Sequence, residues 1–214
     1  MREQVFTTFE YTIVHELKEM GGERVEESDA TPNLKIRLVD TATQLLTEHG
    51  SFKLPTMRKI ASATGVTPGA AYRHFASQED LFISVISGLF EQLEQTLTEA
   101  AQESRGLRAK ARNIAQSYVA WGLRNPGGYQ LLFETTDNEE ILKAGARPGL
   151  GLLEQFARAL PGNGDLNSKQ TQRITRLWVS LHGLVSLRIH KTGMPWSTSV
   201  EHDVDELVKL TLKP

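Results

Sequence analysis

From Leu81 to Leu97 the apolar residues Leu81, Phe82, Val85, Ile86, Leu89, Phe90, Leu93 and Leu97 recur at three-and-four spacing. That period lines up one face of an α-helix for about five turns and is incompatible with the alternation of a strand. A stripe of this length has to be buried against other apolar faces, so the remaining chain must supply them. Ser77 and Asp80 stand at the spacing of a capping box, which places the start of this helix near Gln78.

The rest of the chain repeats the helical period. Pro32 precedes a first helix with Leu34, Leu38, Ala42 and Leu45 on one face, ended at His49-Gly50. Thr56 caps a short second helix that turns Met57, Ile60, Ala61 and Thr64 inward. Gly65 and Val66 form a turn, and Thr67-Pro68 opens a third helix with a threonine cap and a proline at its first position. Further helices are expected over residues 107–124, from Asn125-Pro126 through Phe133, and over about 138–160 with a break near Gly145–Gly151. Two more run over about 168–191 and 199–212. Beyond residue 30 there is no pair of strand-like runs and no repeat of 20–50 residues, so the fold class is all-α.

Composition removes several functions. The 214 residues include no Cys, which excludes a disulfide framework, a Cys-based zinc site and a thiol nucleophile, and fits a reducing, cytoplasmic setting. No apolar run approaches the roughly 18 residues of a membrane span, and the N-terminal apolar stretch is interrupted by acids, unlike a secretory leader. No nucleophile elbow, HExxH pair, phosphate-binding glycine loop or carboxylate pair on one face is present, so no enzyme and no cofactor is expected. His182 and His190 could share a helical face but lack carboxylate partners in the pattern, and no metal is expected. Glu139-Glu140 and Asp203, Asp205 and Glu206 are accounted for by the favourable end of a helix dipole.

The formal net charge of −2 argues at first against a nucleic-acid partner, but the charge is unevenly placed. Residues 1–30 carry 3 basic and 8 acidic side chains, residues 31–80 carry 6 and 4, and residues 81–214 carry 15 and 14. The acidic balance therefore lies in the first 30 residues, whose apolar positions fit either a helix (Phe6, Phe9, Ile13, Leu17, Met20) or a strand (Val5, Phe9, Tyr11, Ile13), with the helix preferred. The stretch GGERVEESDATP that follows reads as an acidic linker.

The segment TMRKIASATGVTPGAAYRHF joins two short helices through a glycine turn, the arrangement of a helix-turn-helix. Ala61 allows close packing of the second helix, while Val66, Ala71 and Phe75 fill a small core. Thr67, Pro68, Gly69, Tyr72, Arg73 and His74 are left to face outward from the third helix, with Thr56, Arg58 and Lys59 beside them. A helix of this kind reads base edges in the major groove with its N-terminal residues, while hydroxyls, backbone N–H groups and cations hold phosphates.

The stretch from Leu34 to Phe82 resembles the DNA-binding domain of the TetR family of transcriptional regulators. The resemblance rests on ATQLLTEHGSFKLPTMRKIA, SATGVTPGAAYRHF and SQEDLF, in that order and spacing. It implies a three-helix DNA-binding domain over residues 31–78 and, over 79–214, a helical domain for effector binding and dimerisation. It also implies that Thr56, Thr67, Gly69, Tyr72 and His74 touch double-stranded operator DNA, mostly its backbone. Gln78 departs from the family pattern, which has a phosphate-binding lysine there, and the acidic extension 1–30 is an addition to it. Trp178, His182 and Gly183 in LWVSLHGLVSLRIH are similar to a Trp-x3-His-Gly block of one subset of TetR C-terminal domains.

In the C-terminal domain Tyr118, Trp121, Tyr129, Phe133, Phe156, Trp178 and His182 are candidates to line the pocket of an unidentified small-molecule effector, although the same residues also suit a plain core. Leu177, Leu181, Gly183, Leu184, Val204, Leu207 and Val208 are candidates for a homodimer interface made by the last two helices. The reading is a ligand-responsive repressor that binds a palindromic operator as a homodimer and has no membrane partner. The alternative is a helical small-molecule-binding or protein-interaction module that does not bind DNA.

Overall fold

A computed structural model of the chain describes residues 34–48, 55–134 and 168–212. Those residues form helices throughout, in the order α1 (Leu34–Glu48), α2 (Met57–Thr64), α3 (Pro68–Tyr72), α4 (Gln78–Gln102), α5 (Leu107–Arg124), α6 (Pro126–Phe133), α7 (Ser168–His190) and α8 (Val200–Thr211). The expected helix over about 138–160 and the reading of residues 1–30 lie outside the described residues, as does the stop at His49-Gly50.

Local chemistry sets the helix boundaries. Thr56 Oγ1 accepts from Lys59 N at 3.3 Å and Thr67 Oγ1 from Ala70 N at 3.2 Å, so each threonine satisfies an otherwise free donor in a first turn. Gly65 adopts φ 79°, and the N–H groups of Gly65 and Val66 close back on Ser62 O and Ala61 O. A side chain is strained at that φ, which is why glycine ends α2. Ser77 and Asp80 form the reciprocal capping box expected at the start of α4.

α1, α2 and α3 make a small head: α1 packs on α2, and α2 on α3. Leu38, Ala42, Met57, Ile60, Ala61, Ala71 and Phe75 are buried in its core. On α1 it is Leu46 rather than Leu45 that is fully buried, Leu45 being half-covered. The face runs at i, i+4, i+8 from Leu38, a register that three-and-four spacing alone does not distinguish from its neighbour. The N-terminal end of α4 is tied to this head through Gln78, and α1 packs against both α4 and α6.

α4, α5, α6, α7 and α8 form the helical body, with α5 packed against α4, α6, α7 and α8. The apolar stripe of α4 is buried along its whole length. Two ion pairs hold α8: Arg112 Nε to Asp205 Oδ1 at 2.6 Å from α5, and Arg188 Nη2 to Asp203 Oδ2 at 2.9 Å from α7. Arg188 also lies over the Trp196 ring, 4.2 Å from its centroid. Asp203 and Asp205 therefore do more than the helix-dipole role read from sequence; they select which helices α8 sits against. Among the described residues no helix is long and apolar enough to cross a membrane.

Gly122 on α5 faces both Tyr129 of α6 and Val185 of α7 at close range. A Cβ there would stand 2.7 Å from Tyr129 Cδ2 and 2.7 Å from Val185 Cγ1. Gly122→Ala gains about 1 kcal/mol of helix propensity, but must displace a buried ring and a branched side chain, at a cost of about 1–3 kcal/mol. The substitution is expected to lower the thermal unfolding midpoint; an unchanged or raised midpoint would show that α6 can shift away from α5 freely.

Candidate nucleic-acid interface and effector site

In the head, the inward side of α2 and α3 is consumed by packing, and what remains outside is the set read from the sequence. Thr56, Arg58, Lys59, Thr67, Pro68, Gly69, Arg73 and His74 are exposed, and Tyr72 is 52% exposed. Phe75, one turn on, is 4% exposed and fills the core position, so Tyr72 is not needed there. Lys35 Nζ stands 5.7 Å from the Phe75 ring centroid and covers it from α1. The Thr56 and Thr67 hydroxyls accept from backbone N–H groups, and each keeps its own hydrogen to donate to an oxygen outside the protein.

Two polar contacts position this face and were not read from the sequence. Arg37 Nη2 donates to Thr64 O at 2.7 Å, binding the last turn of α2 to α1. Gln78 Nε2 donates to Pro55 O at 3.2 Å, so the first residue of α4 fixes the entry to α2. Lone long polar side chains at such spacing carry no periodic signal, so only the folded chain reveals their partners.

In the body, the aromatic residues singled out as pocket candidates come together. Phe133 is the hub: its ring centroid lies 4.9 Å from Tyr129, 6.0 Å from His182, 6.1 Å from Tyr118, 6.4 Å from Trp178 and 5.9 Å from Phe90. Trp121 is buried on α5 but stands outside this ring network among the described residues, and Phe156 lies outside the described residues.

A buried polar chain runs through the rings. The Tyr118 and Tyr129 hydroxyls are 2.9 Å apart, and Tyr129 Oη is 2.6 Å from His182 Nδ1. Burial raises both tyrosines far above their ordinary range, and burial lowers His182, against the opposing pull of Glu134. The tyrosines therefore keep their protons, and the two hydroxyls and His182 Nδ1 form one continuous hydrogen-bonded chain whose direction follows the imidazole tautomer. Trp178 Nε1 lies close enough to Tyr118 to bear on its ionisation, yet is buried without a hydrogen-bond partner.

Glu134 and Gln130 were missed by sequence reasoning, and they supply partners to His190, which the sequence pattern left without a carboxylate. His190 Nε2 stands 3.3 Å from Glu134 Oε2 and 3.0 Å from Gln130 Nε2, while Glu134 Oε1 is buried without a partner. The available signal was an acid directly after the apolar Leu131-Leu132-Phe133, at a helix end.

The expected dimer residues divide between two faces. Leu177, Leu181, Val204 and Val208 are buried inside the protomer, where they form the core between α7, α8 and α5. Leu184 and Leu207 are half-covered, and Gly183 has open space beside it. The outer face of α7 and α8 instead exposes Val179, Leu187 and Leu210. A cleft of about 330 Å³ between the two helices is lined by Arg176, Ser180, Leu207 and Leu210 among others. α7 carries two apolar stripes at helical spacing, and the richer one is spent within the chain.

The histidine gives the body a pH dependence of known sign. With His182 below its ordinary 6.5 in the folded chain, the unfolded state binds more protons as pH falls through that value. Its contribution is full above about pH 6.5 and is lost as pH falls below it towards the folded value. The unfolding midpoint is expected to drop between pH 7.5 and 5.5, and His182→Asn is expected to flatten that drop. An identical pH profile in the variant would remove His182 as its source.

Comparison with known proteins agrees with this architecture. Residues 38–85 match the family described as bacterial regulatory proteins, tetR family, and residues 111–212 match the tetracyclin repressor-like C-terminal domain. The nucleoid occlusion factor SlmA of Escherichia coli O1:K1 / APEC is 27% identical over 115 residues, which are 51% of this chain and 58% of that protein. The chain thus spans little more than half the length of the curated relatives it matches. Among solved structures, the regulator FadR of Bacillus subtilis in complex with stearoyl-CoA superposes with a TM-score of 0.67 at 15% identity, over 83% of this chain and 97% of that one. A tetR-family transcriptional regulator of Streptomyces coelicolor gives a TM-score of 0.69 at 12% identity, over 86% and 80%. At such identity these two speak for the fold. With a family match at each end, on the helix-turn-helix and on the helical body, the chain belongs to the TetR family of transcriptional regulators.

Proposed function

We propose that the chain is a cytoplasmic transcriptional repressor that binds a palindromic operator as a homodimer and is released by a small molecule. The observation that carries the reading is the outward face of α2 and α3. There the cap hydroxyls of Thr56 and Thr67, the cations Arg58, Lys59 and Arg73, and exposed Tyr72 and His74 stand on a head whose other side is packed. In a two-fold dimer two such faces enter successive major grooves about 34–36 Å apart, and half-site symmetry follows from protein symmetry. The exposed Val179, Leu187 and Leu210, with open space at Gly183, support α7 and α8 as the surface that a second copy covers.

The effector site is assigned to the ring cluster of Tyr118, Tyr129, Phe133, Trp178 and His182. Phe133 and Tyr129 lie on α6, which packs against α1 of the head as well as α4 and α5. A ligand that reorders those rings therefore acts on the head through α6 and through α4. It need only favour the non-binding arrangement by a few kcal/mol to empty the operator. The FadR structure with stearoyl-CoA supports a small-molecule effector within a body of this architecture.

Operator titration tests the reading. Tyr72→Ala is expected to weaken binding by about 1–3 kcal/mol without changing the unfolding midpoint, and unchanged affinity would remove Tyr72 from the interface. Gln78→Lys is expected to tighten binding and steepen its salt dependence by about one unit per protomer. No change in either would mean that position 78 stays turned onto Pro55 and away from phosphate.

A further inference from the structure

A cleft of about 590 Å³ lies where the start of α5 meets α8, and its lining shares no residue with the ring cluster. That volume suits a small organic molecule. Four cations line the cleft, Arg105, Arg108, Arg112 and Lys209, against one carboxylate, Asp205. Arg112 is paired with Asp205 and Lys209 with Glu206, so those two charges are answered within the chain. Arg105 and Arg108 are exposed and make no hydrogen bond or ion pair among the described residues. The cleft therefore holds two uncompensated guanidinium charges, which repel each other until an anion joins them. Leu107 and Val208 add an apolar wall beside them.

We propose that this cleft binds a phosphomonoester, a phosphate group on a small organic body. Such a phosphate carries about two negative charges at neutral pH, which equals the two charges left open on Arg105 and Arg108. A single carboxylate would leave one of them unanswered, and an amine would meet like charge. The guanidinium fork donates to two phosphate oxygens at once, which gives direction as well as attraction. Gly106, the N-cap of α5, brings no side-chain acceptor to the first turn, so backbone donors of the same helix are left to the same anion. The organic body lies on Leu107 and Val208. This site is additional to the ring cluster, and it adjoins the Arg112–Asp205 pair that holds α8 to α5.

The test is calorimetric titration of the full-length protein at pH 7.5 and constant ionic strength with phenyl phosphate, benzoate and inorganic phosphate. Phenyl phosphate is expected to bind about tenfold more tightly than benzoate, which carries half the charge, and more tightly than inorganic phosphate, which lacks the apolar body. Arg105→Gln and Arg108→Gln are each expected to weaken phenyl phosphate about tenfold. Arg124→Gln, which removes an exposed cation at the far end of α5, is expected to leave it unchanged. Unchanged affinity in both cleft variants, or an equal loss in Arg124→Gln, places the anion elsewhere or makes it a matter of overall charge, and overturns the site. Equal binding of phenyl phosphate and benzoate overturns the phosphomonoester, and equal binding of inorganic phosphate shows an adventitious ion only. Absence of binding at millimolar concentration overturns the proposal outright, and every one of these results leaves the DNA-binding head and the ring cluster untouched.

Discussion

The 25-residue helix α4 is the constraint on which the rest depends, because head and body both pack on it. Its first residue, Gln78, holds the carbonyl of Pro55 at the entry to α2. Three turns on, Phe90 meets Phe133, and Leu89 stands where a Cβ on Gly128 would reach its Cδ2 at 3.2 Å. A helix buried along its full length transmits displacement as a rigid rod, since close packing leaves little room for local give. The short helix α6 adds a second link, packing on α1 as well as on α4 and α5. Any rearrangement of the rings on α6 is therefore felt at both supports of the helix-turn-helix.

The two ends of that rod differ in chemistry. The head keeps its polar groups outside: capping hydroxyls with a hydrogen to spare, cations on α2, and Tyr72 turned to solvent. The body keeps polar groups inside, in a continuous Tyr118–Tyr129–His182 hydrogen-bonded chain. Buried polar chains of this kind are sensitive to any group that completes or breaks them.

Much of this was legible in the sequence because it rests on period and punctuation. The α4 stripe, the caps at Thr56, Thr67 and Ser77, the glycine turn at Gly65 and the Pro126 restart each have a local physical signature, and each stands where that signature places it. The outward set on α2 and α3 followed by subtraction once Ala61, Ala71 and Phe75 were assigned inward. What escaped depends on contacts between distant segments. α7 has inner and outer apolar stripes of the same period, and only the packing of α8 and α5 shows that Leu177 and Leu181 belong to the inner one. Glu134, Gln130 and His190 are brought together by α6 and α7, separated by dozens of residues, with no spacing rule to announce them. Asp203 and Asp205 read as helix-dipole acids, yet their partners are Arg188 and Arg112.

The net charge of −2 hides a head whose sequence segment is net positive, and the central claim is that this head binds DNA. Phosphate neutralisation releases counterions, so a DNA-binding dimer must show it in its salt dependence. The decisive measurement is titration of a labelled duplex from the DNA flanking its own gene at increasing salt. Affinity is expected to fall by about a thousandfold or more from about 50 to about 200 mM salt, linearly on logarithmic axes. Binding that is absent, or that does not change with salt, would contradict the assignment of α2 and α3 to DNA.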